Sequence, residues 1–226
     1  MKEFFLAAPY CRLTPAHYET VRFLLPDIYP CSVSVQPTIA HCICAALPGG
    51  PQQQLQYLVS QTCADVNHLC INEDLYPHML GDSSAELERA GLSVHRRNEA
   101  ATQIFWESLT PQRAGLAAFL PPDKRVRHLV AELGGLFLAL RPRLLLSWHP
   151  VGIPPLDAAL WAALLVGVPR ILVRFNSISP LSGADASRMP SWLTDQARFL
   201  VREERVHLCA NAHAGAKSIV QWLDLD

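Results

Sequence analysis

Apolar positions along this chain follow two rhythms in turn. Short runs rich in aliphatic and β-branched residues alternate with stretches where apolar residues recur at i, i+3, i+4 and i+7. The first run, Thr38–Ala46, ends at Leu47-Pro48-Gly49-Gly50, and Pro51 suits the first turn of a helix with Leu55, Leu58 and Val59 on its apolar face. A second strand is expected over Val66–Ile71. Ser83-Ser84-Ala85-Glu86 has the form of a capping box, with Gly91 placed to end the short helix that it opens. Leu92–Arg96 reads as the third strand, and Asn98 to Asp123 as an irregular excursion with helical pieces.

From Lys124 the helical rhythm is sustained by Val126, Leu129, Val130, Leu133, Phe137 and Leu140, and Pro142 closes it. Leu144–Trp148 is strand four. Leu156, Leu160, Ala163 and Leu164 line a helix that Gly167 ends. Arg170–Phe175 is strand five, Met189–Glu203 a helix, Arg205–Cys209 strand six and Ala212–Leu223 a last helix. This alternation predicts an α/β fold: a Rossmann-like, doubly wound, mostly parallel sheet of about six strands. Residues 1–36 stand outside the pattern and read as a proline-rich extension, leaving 37–226 as the domain.

Composition narrows the partners. Half the residues are apolar, enough for a sizeable core, and the formal net charge of −1 offers no global attraction to nucleic acid. The seven cysteines are odd in number, and several lie in apolar runs such as Ile39-Ala40-His41-Cys42-Ile43-Cys44. They read as reduced, buried thiols, no C-x-x-C pair suggests a metal site, and a reducing, cytoplasmic setting follows. The N-terminus lacks the form of a signal peptide, and the greasiest segments are interrupted by Arg141 and Arg143 or by Asp157.

In a doubly wound sheet, ligands bind beyond the carboxyl ends of the strands, so the candidate residues follow those ends. Gly49 and Gly50 follow strand one, where glycines let backbone N–H groups face an anion at a helix start or simply make a tight turn. His149 follows strand four and has the chemistry of a general base. Arg174 ends strand five, able to fork onto phosphate or to pair with a carboxylate, and Asn176 follows it. Asn211, after strand six, reads first as a helix cap and second as a ligand contact. A dinucleotide G-x-G-x-x-G fingerprint, a G-x-S-x-G elbow and paired strand-end carboxylates are absent from the sequence, which counts against an NAD enzyme and against hydrolases.

Four segments together resemble family 4 glycosyltransferases. They are Leu47-Pro48-Gly49-Gly50-Pro51-Gln52, Arg141-Pro142-Arg143-Leu144-Leu145-Leu146-Ser147-Trp148, Ala162-Ala163-Leu164-Leu165-Val166-Gly167-Val168-Pro169-Arg170, and Cys209-Ala210-Asn211-Ala212-His213-Ala214-Gly215 with Trp222-Leu223. Their order is that of the family, and the likeness spans about residues 37–226. It implies the acceptor-side half of a GT-B fold, with a nucleotide sugar as co-substrate, no other cofactor, and a glycan or lipid-linked acceptor. A lipid-linked acceptor would bring the protein to a membrane surface.

By the same resemblance His149 matches the family's histidine and the Gly49-Gly50 loop approaches the donor phosphates. Gln52, Ser147 and Ala212 depart from the family's usual Glu, His and Ser. The donor half, with its E-x7-E motif, is missing from the sequence, so hexosyl transfer is expected only in combination with such a domain. The alternatives are a non-catalytic Rossmann-like binding or regulatory module, or a GT-B-like sugar-nucleotide epimerase.

Overall fold

A computed structural model describes residues 37–43, 50–62, 66–72, 84–96, 99–109, 120, 123–148, 154–175 and 191–225. The elements follow the two rhythms closely. They are β1 (Thr38–Ile43), α1 (Gly50–Ser60), β2 (Asn67–Asn72), α2 (Ser84–Arg89), β3 (Ser93–Arg96), α3 (Glu99–Ser108), α4 (Lys124–Leu140), β4 (Leu144–Ser147), α5 (Pro154–Val166), β5 (Arg170–Phe175), α6 (Ser191–Arg202), β6 (Val206–Ala210) and α7 (His213–Leu223). Residues 44–46, expected to prolong strand one, and the whole of 1–36 lie outside the described residues.

The strands form one parallel sheet in the order β3-β2-β1-β4-β5-β6. Connections leave β1 toward β2 and leave β4 toward β5, so the direction of winding reverses between β1 and β4. Right-handed crossovers then place the early and the late helices on opposite faces.

Partners in register share a face, because successive side chains alternate across a strand. Ala40, Cys42, Leu145, Ile171, Val173 and Phe175 join the larger core, formed with α3, α4, α5, α6 and α7. Ile43, Cys70, Leu146 and Trp148 meet Leu55 of α1 and Leu87 of α2 in a smaller one. Toward β5 and β6 the face of this smaller core opens: Arg170, His207 and Cys209 are exposed, and Leu172 and Arg174 are half-buried.

Helix α4 buries Val126, Leu129, Val130, Leu133 and Phe137, the stripe expected from its period. Asp123 caps it, its side chain accepting from the Arg125 backbone N–H at 2.8 Å. At the other end Arg141 takes the left-handed conformation (φ 45°) and donates to the Phe137 carbonyl. Pro142 cannot continue the ladder, and Arg143 N–H turns to the Thr38 carbonyl, docking β4 beside β1. Gly134 and Gly135 admit α3 at close range. A Cβ at Gly134 would fall on the Phe105 ring, and one at Gly135 on the Ala101 carbonyl.

Helix α5 is apolar around its whole circumference, and every residue from Asp157 to Val166 is buried. Such a helix is stable only when surrounded; here Trp161 stacks on Phe199 of α6 with centroids 5.6 Å apart. The buried Asp157 carboxylate accepts from Gln196 at 3.3 Å.

Two expectations are corrected. Asn211 does not cap α7: the cap is Ala212, without a side-chain bond. The Asn211 N–H donates instead to the Phe175 carbonyl, so it still belongs to the β5–β6 ladder, one residue too early to cap. Cys209, inside an apolar run, is exposed because it points to the open side of β6, whereas Cys42 and Cys70 are buried.

Candidate functional site

Strands β1 and β4 run side by side and parallel, and the Trp148 N–H extends their ladder to the Cys42 carbonyl. The chain therefore leaves both strands at the same edge of the sheet, at the point where winding reverses. Gly50 is the first residue of α1. Gly49, His149 and Asn176 lie outside the described residues. Arg174 and Asn211 belong to adjacent strand ends: Arg174 pairs in register with Cys209, and the Asn211 N–H reaches the Phe175 carbonyl.

On the smaller-core face, four side chains form a line across β2, β1, β4 and β5. His68 Nδ1 lies 3.0 Å from His41 Nε2, with ring centroids 5.3 Å apart and planes 16° from parallel. The Trp148 indole N–H donates to His41 Nδ1 at 3.5 Å. The Arg174 guanidinium carbon sits 4.5 Å from the centroid of the Trp148 ring, within cation–π range. Arg174 therefore rests on the indole, and among the described residues it forms no ion pair with a carboxylate.

The direction of this line follows from the indole. Indole N–H can only donate, so His41 Nδ1 is the acceptor. A neutral His41 then carries its proton on Nε2 and donates to His68 Nδ1, which leaves the His68 proton on Nε2. That atom is buried and without a hydrogen-bond partner among the described residues. Burial, and secondarily the adjacent His68, lower the His41 pKa from the ordinary 6.5 to about 3, and burial lowers that of His68 as well. Both rings are thus neutral at physiological pH. A proton added at His41 Nδ1 would face the indole N–H, donor against donor.

Between α1 and β5 lies an open cleft of about 410 Å³, lined by Gln53, Gln54, Tyr57, Leu58, Gln61 and Arg174. Its size falls within the usual range of ligand sites. Helix α1 carries no charged residue. Gln53, Gln54 and Gln61 present amides that both donate and accept, and Tyr57 is 68% exposed, its ring free to lie against an apolar ligand face. Among the described residues the one charge in the lining is Arg174, backed by Trp148 and able to fork onto an anion.

Sequence reasoning reached Arg174 but missed His41, His68, Trp148 and the α1 lining. A signal did exist for the histidines: each is a polar ring within or next to the apolar run of a parallel strand, residues 39–43 for His41 and 69–71 for His68, where both faces are expected to be buried. Tyr57 was visible as the aromatic residue off the Leu55–Leu58–Val59 stripe of its helix. No protein-family model and no curated protein matches the chain.

Proposed function

We propose that this chain is the acceptor-facing half of a sugar-nucleotide glycosyltransferase of GT-B type. The observation that carries the proposal is the cleft beside the winding reversal, lined by Gln53, Gln54, Gln61, Tyr57 and Arg174. Amides match the alternating donors and acceptors of sugar hydroxyls, and an exposed ring matches the apolar face of a pyranose. In this proposal His149 orients or deprotonates the acceptor hydroxyl, and Gly49 and Gly50 approach the donor phosphates from across the gap between two lobes. Arg174 meets an anionic group, while Asn176 and Asn211 flank it. A second lobe holds the nucleotide.

The test combines saturation-transfer NMR with oligosaccharides and calorimetry with UDP- and GDP-sugars, both on the full chain. Oligosaccharide signals should saturate and should fade in Tyr57→Ala, while nucleotide sugars should bind no tighter than about 1 mM. Micromolar nucleotide-sugar binding with no oligosaccharide contact overturns the proposal.

A non-catalytic glycan-binding module is the second reading, favoured by the burial of His41 and His68, which turns both neutral rings inward and away from a ligand in the cleft. The two part on chemistry. Labelled hexose transfer, with a donor lobe supplied and lost in His149→Ala, supports the enzyme. Glycan binding without transfer supports the module.

A further inference from the structure

Strand β5 is flanked by β4 and β6, yet it does not read as an interior strand of a doubly wound sheet. Such strands are apolar on both faces, because helices cover both. Here Ile171, Val173 and Phe175 are buried on one face, while Arg170, Leu172 and Arg174 point to the other. Strand β6 does the same, placing His207 in register with Leu172 and Cys209 in register with Arg174. Arg170, His207 and Cys209 are exposed. Among the described residues, neither arginine forms a salt bridge. Among the described residues, one side of β5 and β6 is therefore a strip with exposed Arg170, His207 and Cys209 beside half-buried Leu172 and Arg174, carrying two permanently charged guanidinium groups and an imidazole and running out of the amide-lined cleft at Arg174.

We infer that this strip binds an acidic glycan, an oligosaccharide carrying carboxylate or other anionic groups along its length, as the acceptor of the proposed transferase. The inference rests on the glycan reading of the cleft and adds the sign of the ligand's charge. Arg170 and Arg174 are four residues apart on one strand, a span of roughly 13 Å at about 3.3 Å per residue. That reach suits a chain of sugars and exceeds a single one. A donor phosphate at the strand ends would meet Arg174 alone, because Arg170 lies at the opposite end of the strand. The spacing therefore assigns the anions to a ligand lying along the sheet.

Nucleic acid fits less well. Stable phosphate-backbone binding draws on several more cations than this strip holds, the chain's net charge is −1, and the lining of α1 is uncharged amide with one aromatic ring.

The test uses the full chain and three probes: tetragalacturonate, its fully methyl-esterified form, and a short oligothymidylate. Calorimetry at low salt should show the acid binding about tenfold more tightly than the ester. That preference should vanish near 1 M salt, where the screening length falls to about 3 Å. Arg170→Gln, at an exposed position, should remove most of the acid-over-ester preference; Tyr57→Ala should weaken both sugars alike and keep their ratio.

Equal binding of acid and ester, both sensitive to Tyr57→Ala, overturns the charge assignment and leaves the glycan cleft standing. Binding of neither sugar overturns both. Oligothymidylate bound as tightly as the acid overturns the inference in favour of indiscriminate polyanion binding.

Discussion

Arg174 lies over the ring of Trp148, 4.5 Å from guanidinium carbon to ring centroid. The face of the indole supports the cation while its edge donates to His41, so one residue couples the cleft to the buried histidine pair. The line from His68 to Arg174 crosses four adjacent strands, and each member is oriented by the one before it. The cleft arginine is thus held on a rigid surface rather than left to wander among rotamers, which lowers the entropy lost when it meets a ligand.

Trp148 can be dissected by two substitutions. Trp148→Phe keeps an aromatic face under Arg174 but removes the indole N–H and part of the buried ring. It should cost about 1–3 kcal/mol of unfolding free energy, one hydrogen bond plus a small cavity. Trp148→Ala removes a side chain that is 5% exposed and should cost about 3–5 kcal/mol. Urea denaturation followed by circular dichroism measures both, and equal losses would show that packing at Trp148 is negligible.

Acid should destabilise the fold from near neutrality. His41 and His68 have pKa values lowered by burial, so the unfolded chain binds more protons than the folded one below the ordinary 6.5. Stability is then complete above that value and falls as pH drops toward about 3 for His41. The slope approaches about 1.4 kcal/mol per pH unit for His41, and His68 adds to it in the same direction. Thermal midpoints between pH 6.5 and 5, above the ordinary carboxylate range, isolate this contribution, and a flat profile there would contradict the neutral pair.

Two glycines should fail for different reasons. Gly135→Ala sets a methyl group on the Ala101 carbonyl of the packed helix α3. Alanine is favoured in a helix by about 1 kcal/mol, but overpacking costs about 1–3 kcal/mol, so the α3–α4 contact should loosen and stability should fall or at best hold level. Gly91→Ala meets no atom, yet φ is +94°, and the strain alone should cost about 1 kcal/mol or more. Hydrogen exchange should register the first in α3 and α4 and the second near α2 and β3.

Thiol labelling should separate three cysteines. Cys42 and Cys70 are fully buried, and burial pushes the Cys70 thiol up to about 12, so neither should react with iodoacetamide in the native state. Cys209 is exposed and should alkylate. Peptide mass spectrometry before and after addition of urea tests this, and native labelling of Cys70 would overturn the packing on that face.

The elements were legible because each one follows a local rule. Alternation and short apolar runs mark the six strands, the Val126–Phe137 stripe marks α4, and Gly91 and Gly167, both at positive φ, mark the ends of α2 and α5. The excursion after Asn98 reads as helical pieces without bounds, and the close approach of α3 to Gly134 and Gly135 of α4 has no local mark in the sequence. The cap of α7 was misplaced by one residue because Asn211 has capping chemistry, while its backbone N–H is already engaged by β5. Arg174 was found from its place at a strand end. The contact between His41 and His68 joins residues of two strands 27 positions apart, and nothing within either strand reveals that the other ring lies beside it.

What the amino-acid order determined by itself was therefore the kind and succession of elements, since hydrophobic period, caps and turn residues act over a few neighbours along the chain. Tertiary structure alone decided which strands became neighbours. It brought His68, His41, Trp148 and Arg174 into one line, and it left Arg170, His207 and Cys209 exposed on one side of β5 and β6. Both outcomes depend on contacts between residues distant in sequence, whose energies are settled only when the sheet closes in the order β3-β2-β1-β4-β5-β6.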